Sequence, residues 1–181
     1  MSDNFLQFMQ QRQARRDEAP PLDPAVRRNQ WLADVEELYR LILDDALGTY
    51  IASGQILYER ASIELNEPRL GSYEVDRLTL YIGDDQLVAE PVGTMLIACR
   101  GRVDITGPLG SCRLVLLDKG GPAVRFTISE GGSPLETSTQ SIVHGEVSDP
   151  GWYLATPPPG VTVTRLAPEA FRQLVMDLVG E

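Results

Sequence analysis

The chain has 181 residues, 43% of them hydrophobic and 23% charged, and its formal net charge is −10. A chain of this size buries roughly two thirds of its unfolded surface in one core, and this composition lies away from the range in which chains stay disordered. The charge disfavours nucleic-acid backbones and anionic membranes as direct ligands and favours a basic protein partner. No apolar run reaches the roughly 18 to 20 residues of a membrane-spanning helix, and the first residues lack the pattern of a leader peptide, so a cytoplasmic setting is expected.

Residues 1–22 read as an arm ahead of a single α+β domain spanning 23–181. In the arm Phe5, Phe8 and Met9 fall at i, i+3 and i+4 before a charged run from Arg12 to Glu18 and Pro20-Pro21. That spacing gives a short helix one apolar edge, suited to docking on a partner or on the arm's own domain. Asp23-Pro24 then supplies an N-cap with proline in the first turn. Trp31, Val35, Leu38, Ile42 and Ala46 form one stripe of the long helix that follows, and Gly54 stands where a left-handed terminator is expected.

From Gln55 the period changes from 3.6 to 2, which predicts a strand. The turn-rich stretch 66–71 reverses it into a second strand, Tyr73 to Ile82, with Leu78, Leu80 and Ile82 on one face. Gly83-Asp84-Asp85 turns the chain again into a third, Gln86 to Glu90, which Pro91 and Gly93 end. A long fourth strand is expected from Thr94 to Thr106, where Gly101 marks a bulge or the close approach of another backbone.

Gly107-Pro108-Leu109-Gly110 reads as a type I turn, which sets Thr106 opposite Ser111, Ile105 opposite Cys112 and Asp104 opposite Arg113. The fifth strand, Cys112 to Leu117, is apolar on both parities and is expected to be central, with both faces covered. Lys119-Gly120-Gly121-Pro122 returns the chain into a sixth, Ala123 to Ser129, placed beside the fifth. Residues 130–150 read as a polar loop with at most a short strand near 141–144. A further strand spans Gly151 to Thr156, an extended proline run follows, and a helix begun at Pro168 carries Phe171, Leu174, Val175 and Leu178 on one face.

The pattern predicts an antiparallel meander of six to seven strands lying between the long N-terminal helix and the C-terminal helix. The alternative is a small, partly closed β-barrel with a C-terminal helix.

Phosphate-cradling glycine loops, zinc-protease helices and serine-hydrolase elbows are absent from the sequence. Cys99 and Cys112, the only cysteines, form no C-x-x-C pair and read as small buried hydrophobes rather than a disulfide. With His144 the only histidine, the usual zinc, haem and redox spacings are excluded, and no cofactor is expected. A Ser-His-acid set can be drawn from Ser138, Ser141, His144, Glu146 and Asp149, but any serine-rich loop containing a histidine offers as much, and a solvated loop histidine is the expected reading. Glu64, Asp76, Glu90 and Asp104 on neighbouring strands could form a carboxylate metal site of a hydrolase, or simply an acidic exposed face.

The most specific surface pattern is an arginine-rich sheet face. Arg102, Arg113 and Arg125 are expected to share one face with Asp104, joined by Arg100 if Gly101 leaves the phase unchanged. Such a face could grip a phosphate, a carboxylate or an acidic peptide, or it could be a ladder of internal ion pairs. Fifteen of the 16 basic residues are arginine, a bias that GC-rich bacterial coding also produces. Acidity, missing catalytic motifs and the arm together favour a non-catalytic interaction protein of a bacterial cytoplasm, either an immunity or antitoxin-like inhibitor or an accessory subunit. A small-molecule or nucleotide-phosphate module using the arginines ranks second, and the metal-dependent hydrolase third.

Overall fold

The structure is a computed structural model that describes residues 23–94, 99–130 and 133–180, with side chains described outside 125–137. Helix α1 spans Pro24–Arg40 and opens as the sequence requires: the Asp23 carboxylate accepts a hydrogen bond from the Ala25 amide at 2.9 Å, and Pro24 occupies the first turn. The whole stripe of Trp31, Val35, Leu38, Ile42 and Ala46 is buried. The helix does not run on uniformly, because a π-helical turn occupies Leu41–Ala46 and a short helix α2 follows over Gly48–Ala52. Widening the helix exposes a carbonyl at Ala46, and the Arg172 guanidinium donates to it at 2.9 Å. Gly54 ends the element with φ +76°.

Nine strands follow among the described residues. They are β1 Ile56–Glu67, β2 Gly71–Ile82, β3 Asp85–Gly93, β4 Gly101–Gly107, β5 Gly110–Leu117, β6 Ala123–Glu130, β7 Ser133–Ser141, β8 Gly151–Ala155 and β9 Val163–Arg165. Helix α3, Pro168–Val179, closes the chain. Seven strands make one antiparallel sheet in the order β1-β2-β3-β4-β5-β8-β9, whose two edges do not pair, so the sheet is open and the barrel alternative falls. An α+β fold is what the periodicity predicted.

Four expectations need correction. The strand beside β5 is β8, and β6 instead pairs with β7 in a separate two-stranded sheet. The polar stretch read as a loop therefore contains a full strand over Ser133–Ser141. The strand expected from Thr94 begins only at Gly101: Cys99 and Arg100 form a bend, and residues 95–98 lie outside those described. Finally, the two helices do not sandwich the sheet. Both contribute to one core on one face, in which Trp31, Leu38 and Ile42 join Leu78, Leu80, Val103, Ile105 and Leu114 and meet Phe171, Leu174 and Leu178 of α3. The opposite face is covered over β5 and β8 by a second cluster built from Leu117, Tyr153 and Ala155 with Val147 and Val163.

Along β2 the buried set changes parity, from Tyr73 and Val75 to Leu78 and Leu80. The change falls where β2 leaves β3, because their ladder covers only Leu78–Ile82 against Asp85–Ala89. Tyr39 of α1 fills the fork: its hydroxyl donates to the Asp76 carbonyl at 2.6 Å and lies 3.4 Å from that of Ala89. Burial pushes the Tyr39 phenol well above its ordinary range, and burial followed by the hydrogen bond to Glu67 does the same for Tyr73.

A raised phenol pKa makes the fold favour the protonated form. That stabilisation is complete below the ordinary tyrosine pKa of about 10 and is lost as pH rises through it toward the folded value. Absorbance at 295 nm is expected to show Tyr39 and Tyr73 refusing to ionise at about pH 11 until the chain unfolds. Reversible titration of all six tyrosines near pH 10 in the folded protein would show that neither is protected.

Candidate functional site

The predicted register of the β4–β5 hairpin is observed, with Asp104 opposite Arg113, Ile105 opposite Cys112 and Thr106 opposite Ser111. The arginine face nevertheless resolves differently. Arg102 turns along its own strand to Asp104, with Nη2 donating to Oδ2 at 3.1 Å and Nε 2.9 Å from Oδ1. The expected cross-strand pair of Asp104 with Arg113 is therefore not made. Arg100 leaves the face altogether and reaches Asp34 of α1 and Asp118, each at 3.3 Å. Arg125 lies on β6, in the other sheet, and its side chain is outside the described residues.

Sequence reasoning also missed two members of this face. The β2–β3 and β3–β4 ladders place Glu90 beside Asp104 and bring Arg77 within 3.9 Å of Glu90. The band across the strands thus reads Arg77, Glu90, Asp104, Arg113, a near-balanced row rather than four arginines against one aspartate. Arg113 is the member for which the described residues provide no ion pair. It lines a groove of about 410 Å³ between the ends of β5 and β8 and helix α3, with the Thr162 and Thr164 side chains and Gln173.

The other candidate chemistry is not assembled. His144 is held by its backbone, which bridges to Thr162 and exchanges hydrogen bonds with Val161 and Val163. No hydrogen bond among the described residues joins its ring to Ser138, Ser141, Glu146 or Asp149; the Ser141 hydroxyl donates to the Val143 carbonyl instead. Asp76, Glu90 and Asp104 each meet an arginine, respectively Arg60, Arg77 and Arg102. No group of three or more potential metal ligands occurs among the described residues. Phe5, Phe8 and Met9 lie outside those residues.

Cys99 and Cys112 are unpaired thiols, as the hairpin register requires. Burial raises both thiol pKa values. Alkylation by iodoacetamide near pH 8 is therefore expected to run at least several-fold slower in the folded chain than in the denatured one, with two thiols counted after unfolding. Equal rates in both states would remove the case for burial.

The surface that the sequence did not announce is the free edge of β1 together with the groove beside it. Strand β1 is twelve residues long, pairs with β2 through an unbroken register from Ile56 opposite Ile82 to Glu67 opposite Gly71, and lies at the end of the sheet. Between it and the helix lies a groove of about 460 Å³ lined by Glu36, Glu37, Arg40, Leu43, Asp44, Tyr58 and Arg60. Arg60 is the keystone. Its guanidinium lies 5.3 Å from the centre of the Tyr39 ring, donates to Asp76 at 3.0 Å, and forms a two-pronged pair with Glu36. That hydrogen-bonded guanidinium holds the Glu36 carboxyl below the usual carboxylate range.

Glu37 and Asp44 have no such partner among the described residues and give the groove its negative character. With Glu59 and Glu64 on the strand, the edge and groove present five acidic side chains against Arg40 and Arg60. Leu57 and Tyr58 are 63% and 47% exposed at one end of the strand, one on each face. The absence of lysine and proline from β1 was readable in the sequence; its position at the sheet edge and the groove above it depend on long-range packing. No helix among the described residues is long and apolar enough to cross a membrane. Comparison of the chain with protein-family models, with curated proteins and with solved structures finds no match to any of them.

Proposed function

We propose that this chain is a non-catalytic interaction protein that binds a basic protein partner, as an immunity or antitoxin-like inhibitor or an accessory subunit does in a bacterial cytoplasm. The observation that carries the reading is the acidic groove beside β1, where Glu37 and Asp44 have no ion pair among the described residues and the half-exposed Tyr58 lines the wall, with Leu57 exposed on the other face of the strand. A net charge of −10 adds long-range attraction for a basic partner and speeds encounter at low salt. Two thiols without a disulfide accord with a reducing compartment.

The test is affinity capture from the native cell with the full chain and with a Glu37→Lys/Asp44→Lys variant. A stoichiometric basic partner, released by salt and lost with the variant, is expected. Recovery of no partner, combined with a melting-temperature rise in a screen of metabolites and metal ions, would overturn the reading.

A second reading rests on Arg113, which has no ion pair among the described residues and lines the groove between β5, β8 and α3 with Thr162, Thr164, Gln173 and Asp177. That arrangement suits a small phosphate or carboxylate ligand. An anion that raises the melting temperature of the parent chain but not of Arg113→Gln would favour it over the first.

A further inference from the structure

We infer that the partner contributes an extended basic segment that pairs with the outer edge of β1 and adds an eighth strand to the sheet. This inference rests on the reading of the chain as an interaction protein and specifies how the contact is made. In an antiparallel ladder alternate residues of an edge strand point their backbone N–H and C=O groups away from the sheet. Among the described residues no strand pairs with those groups over residues 56–66 of β1.

Natural sheets guard such edges with lysine, proline, bulges or short length. Strand β1 has none of these: it spans twelve residues, contains neither lysine nor proline, and keeps register with β2 throughout. The opposite edge strand, β9, is only three residues long, and β3 carries both Pro91 and a register shift. In the two-stranded sheet β6 and β7 are interrupted by a register shift and β7 carries Pro134, so among the described strands the long unguarded edge is that of β1.

Charge selects the occupant. The two side-chain rows of an incoming strand would run beside Tyr58, Arg60, Ser62 and Glu64 in one row, of which Tyr58 and Arg60 line the groove by the helix, and beside Leu57, Glu59, Ala61 and Ile63 in the other. Apolar residues near Leu57 and Tyr58, followed by lysine or arginine near Glu59, Glu64 and the Glu37–Asp44 wall, satisfy both rows. A second copy of the chain fits less well. Full antiparallel overlap of β1 with itself sets Glu59 against Glu64 twice, and each copy carries the charge of −10.

The probe is a synthetic ten-residue peptide alternating lysine or arginine with valine or threonine, compared with the same peptide N-methylated at alternate residues. N-methylation keeps charge and side chains but removes the strand's donors. Amide hydrogen exchange of the full chain is followed with each. Added parent peptide is expected to slow exchange at alternate amides of β1, and N-methylation to weaken binding about tenfold or more.

Equal binding of both peptides without protection of β1, abolished by Glu37→Lys/Asp44→Lys, would overturn strand addition while leaving the acidic interaction surface intact. Failure of both peptides to bind at low salt would count against both. Protection of the outward β1 amides already present in the peptide-free chain also overturns the proposal. It assigns the edge to a second copy if it grows with concentration, and to the chain's own residues 1–22 if it does not.

Discussion

Replacing Gly101 with alanine is expected to destabilise the fold by about 2 to 3 kcal/mol, although a Gly→Ala change in unstrained backbone normally stabilises by a few tenths to 1 kcal/mol. A Cβ at Gly101 would sit 2.2 Å from Cζ3 and 2.7 Å from Cε3 of the Trp31 ring. Those distances lie far inside van der Waals contact, and the atoms met belong to a rigid indole rather than the end of a flexible chain. Trp31 is 1% exposed and has little room to retreat, because the Trp152 ring lies behind it at 6.0 Å and is itself tied to the Asp34 carbonyl through its indole N–H. The strain term therefore outweighs the entropic gain.

For a domain of this length each kcal/mol corresponds to roughly 2 to 4 °C, so a fall of several degrees in the melting temperature is expected, and a larger one for Gly101→Val. Combining Gly101→Ala with Trp31→Leu makes the test specific. Relief of the clash requires the double variant to be more stable than the sum of the two single changes predicts. Strict additivity, or an unchanged denaturation midpoint for Gly101→Ala, would refute the close approach. The sequence had marked Gly101 as the site of a bulge or of another backbone; the approaching group is a tryptophan ring from seventy residues earlier.

What was legible depended on range. The α1 stripe, the α3 face and the Gly107–Gly110 hairpin register are local, set by period and turn chemistry within a few residues. The placement of β6 failed because adjacency in sequence was taken for adjacency in the sheet. The information to decide otherwise was present. Strand β5 buries Leu114 and Leu116 on one face and Leu117 on the other, and its neighbour must likewise be apolar on both parities. Gly151–Ala155 meets that requirement with Trp152 and Tyr153, buried on opposite faces, whereas Ala123–Glu130 alternates with arginine, threonine and serine.

The grouping of four arginines on one face failed for a related reason, whereas internal ion pairs of Arg102 with Asp104 and of Arg100 with Asp34 on the helix match the alternative reading. The composition of that face follows from registers on both sides of β4, and the β3–β4 register passes through the shift between Pro91 and Gly93. The pull of Asp34 on Arg100 depends on where α1 crosses the sheet, which no local pattern records. The groove beside β1 is of the same kind, since its acids come from the helix and its floor from the strand.

Glu67→Ala is expected to cost about 3 to 5 kcal/mol. Glu67 ends β1 at 6% exposure, where the chain turns into β2 and where β3 ends. Its carboxyl accepts hydrogen bonds from the Tyr73 hydroxyl and from the Thr94 amide at 2.8 Å, and the Thr94 hydroxyl lies 3.1 Å from Oε2. Arg27 of α1 donates to the Thr94 carbonyl at 2.9 Å, so one buried side chain ties together two hairpins and the start of the long helix. Gly93 makes room for it, since a Cβ there would stand 2.9 Å from the Glu67 carboxyl carbon and its φ of +128° suits glycine.

Truncation to alanine leaves the Tyr73 hydroxyl and the Thr94 amide buried without an acceptor, each at about 1 to 3 kcal/mol, and opens a cavity besides. Glu67→Gln separates the two contributions. It fills the space but points an amide NH₂ at one of the converging donors, so its loss is expected to fall between those of the parent and alanine. The Tyr73→Phe/Glu67→Ala pair then measures coupling. Because Tyr73 donates to the carboxyl, the double variant is expected to lose less than the summed single losses. A denaturation midpoint for Glu67→Ala within error of the parent would show that the contacts at this junction carry no net stability. The free edge of β1 would then be anchored by its ladder to β2 alone.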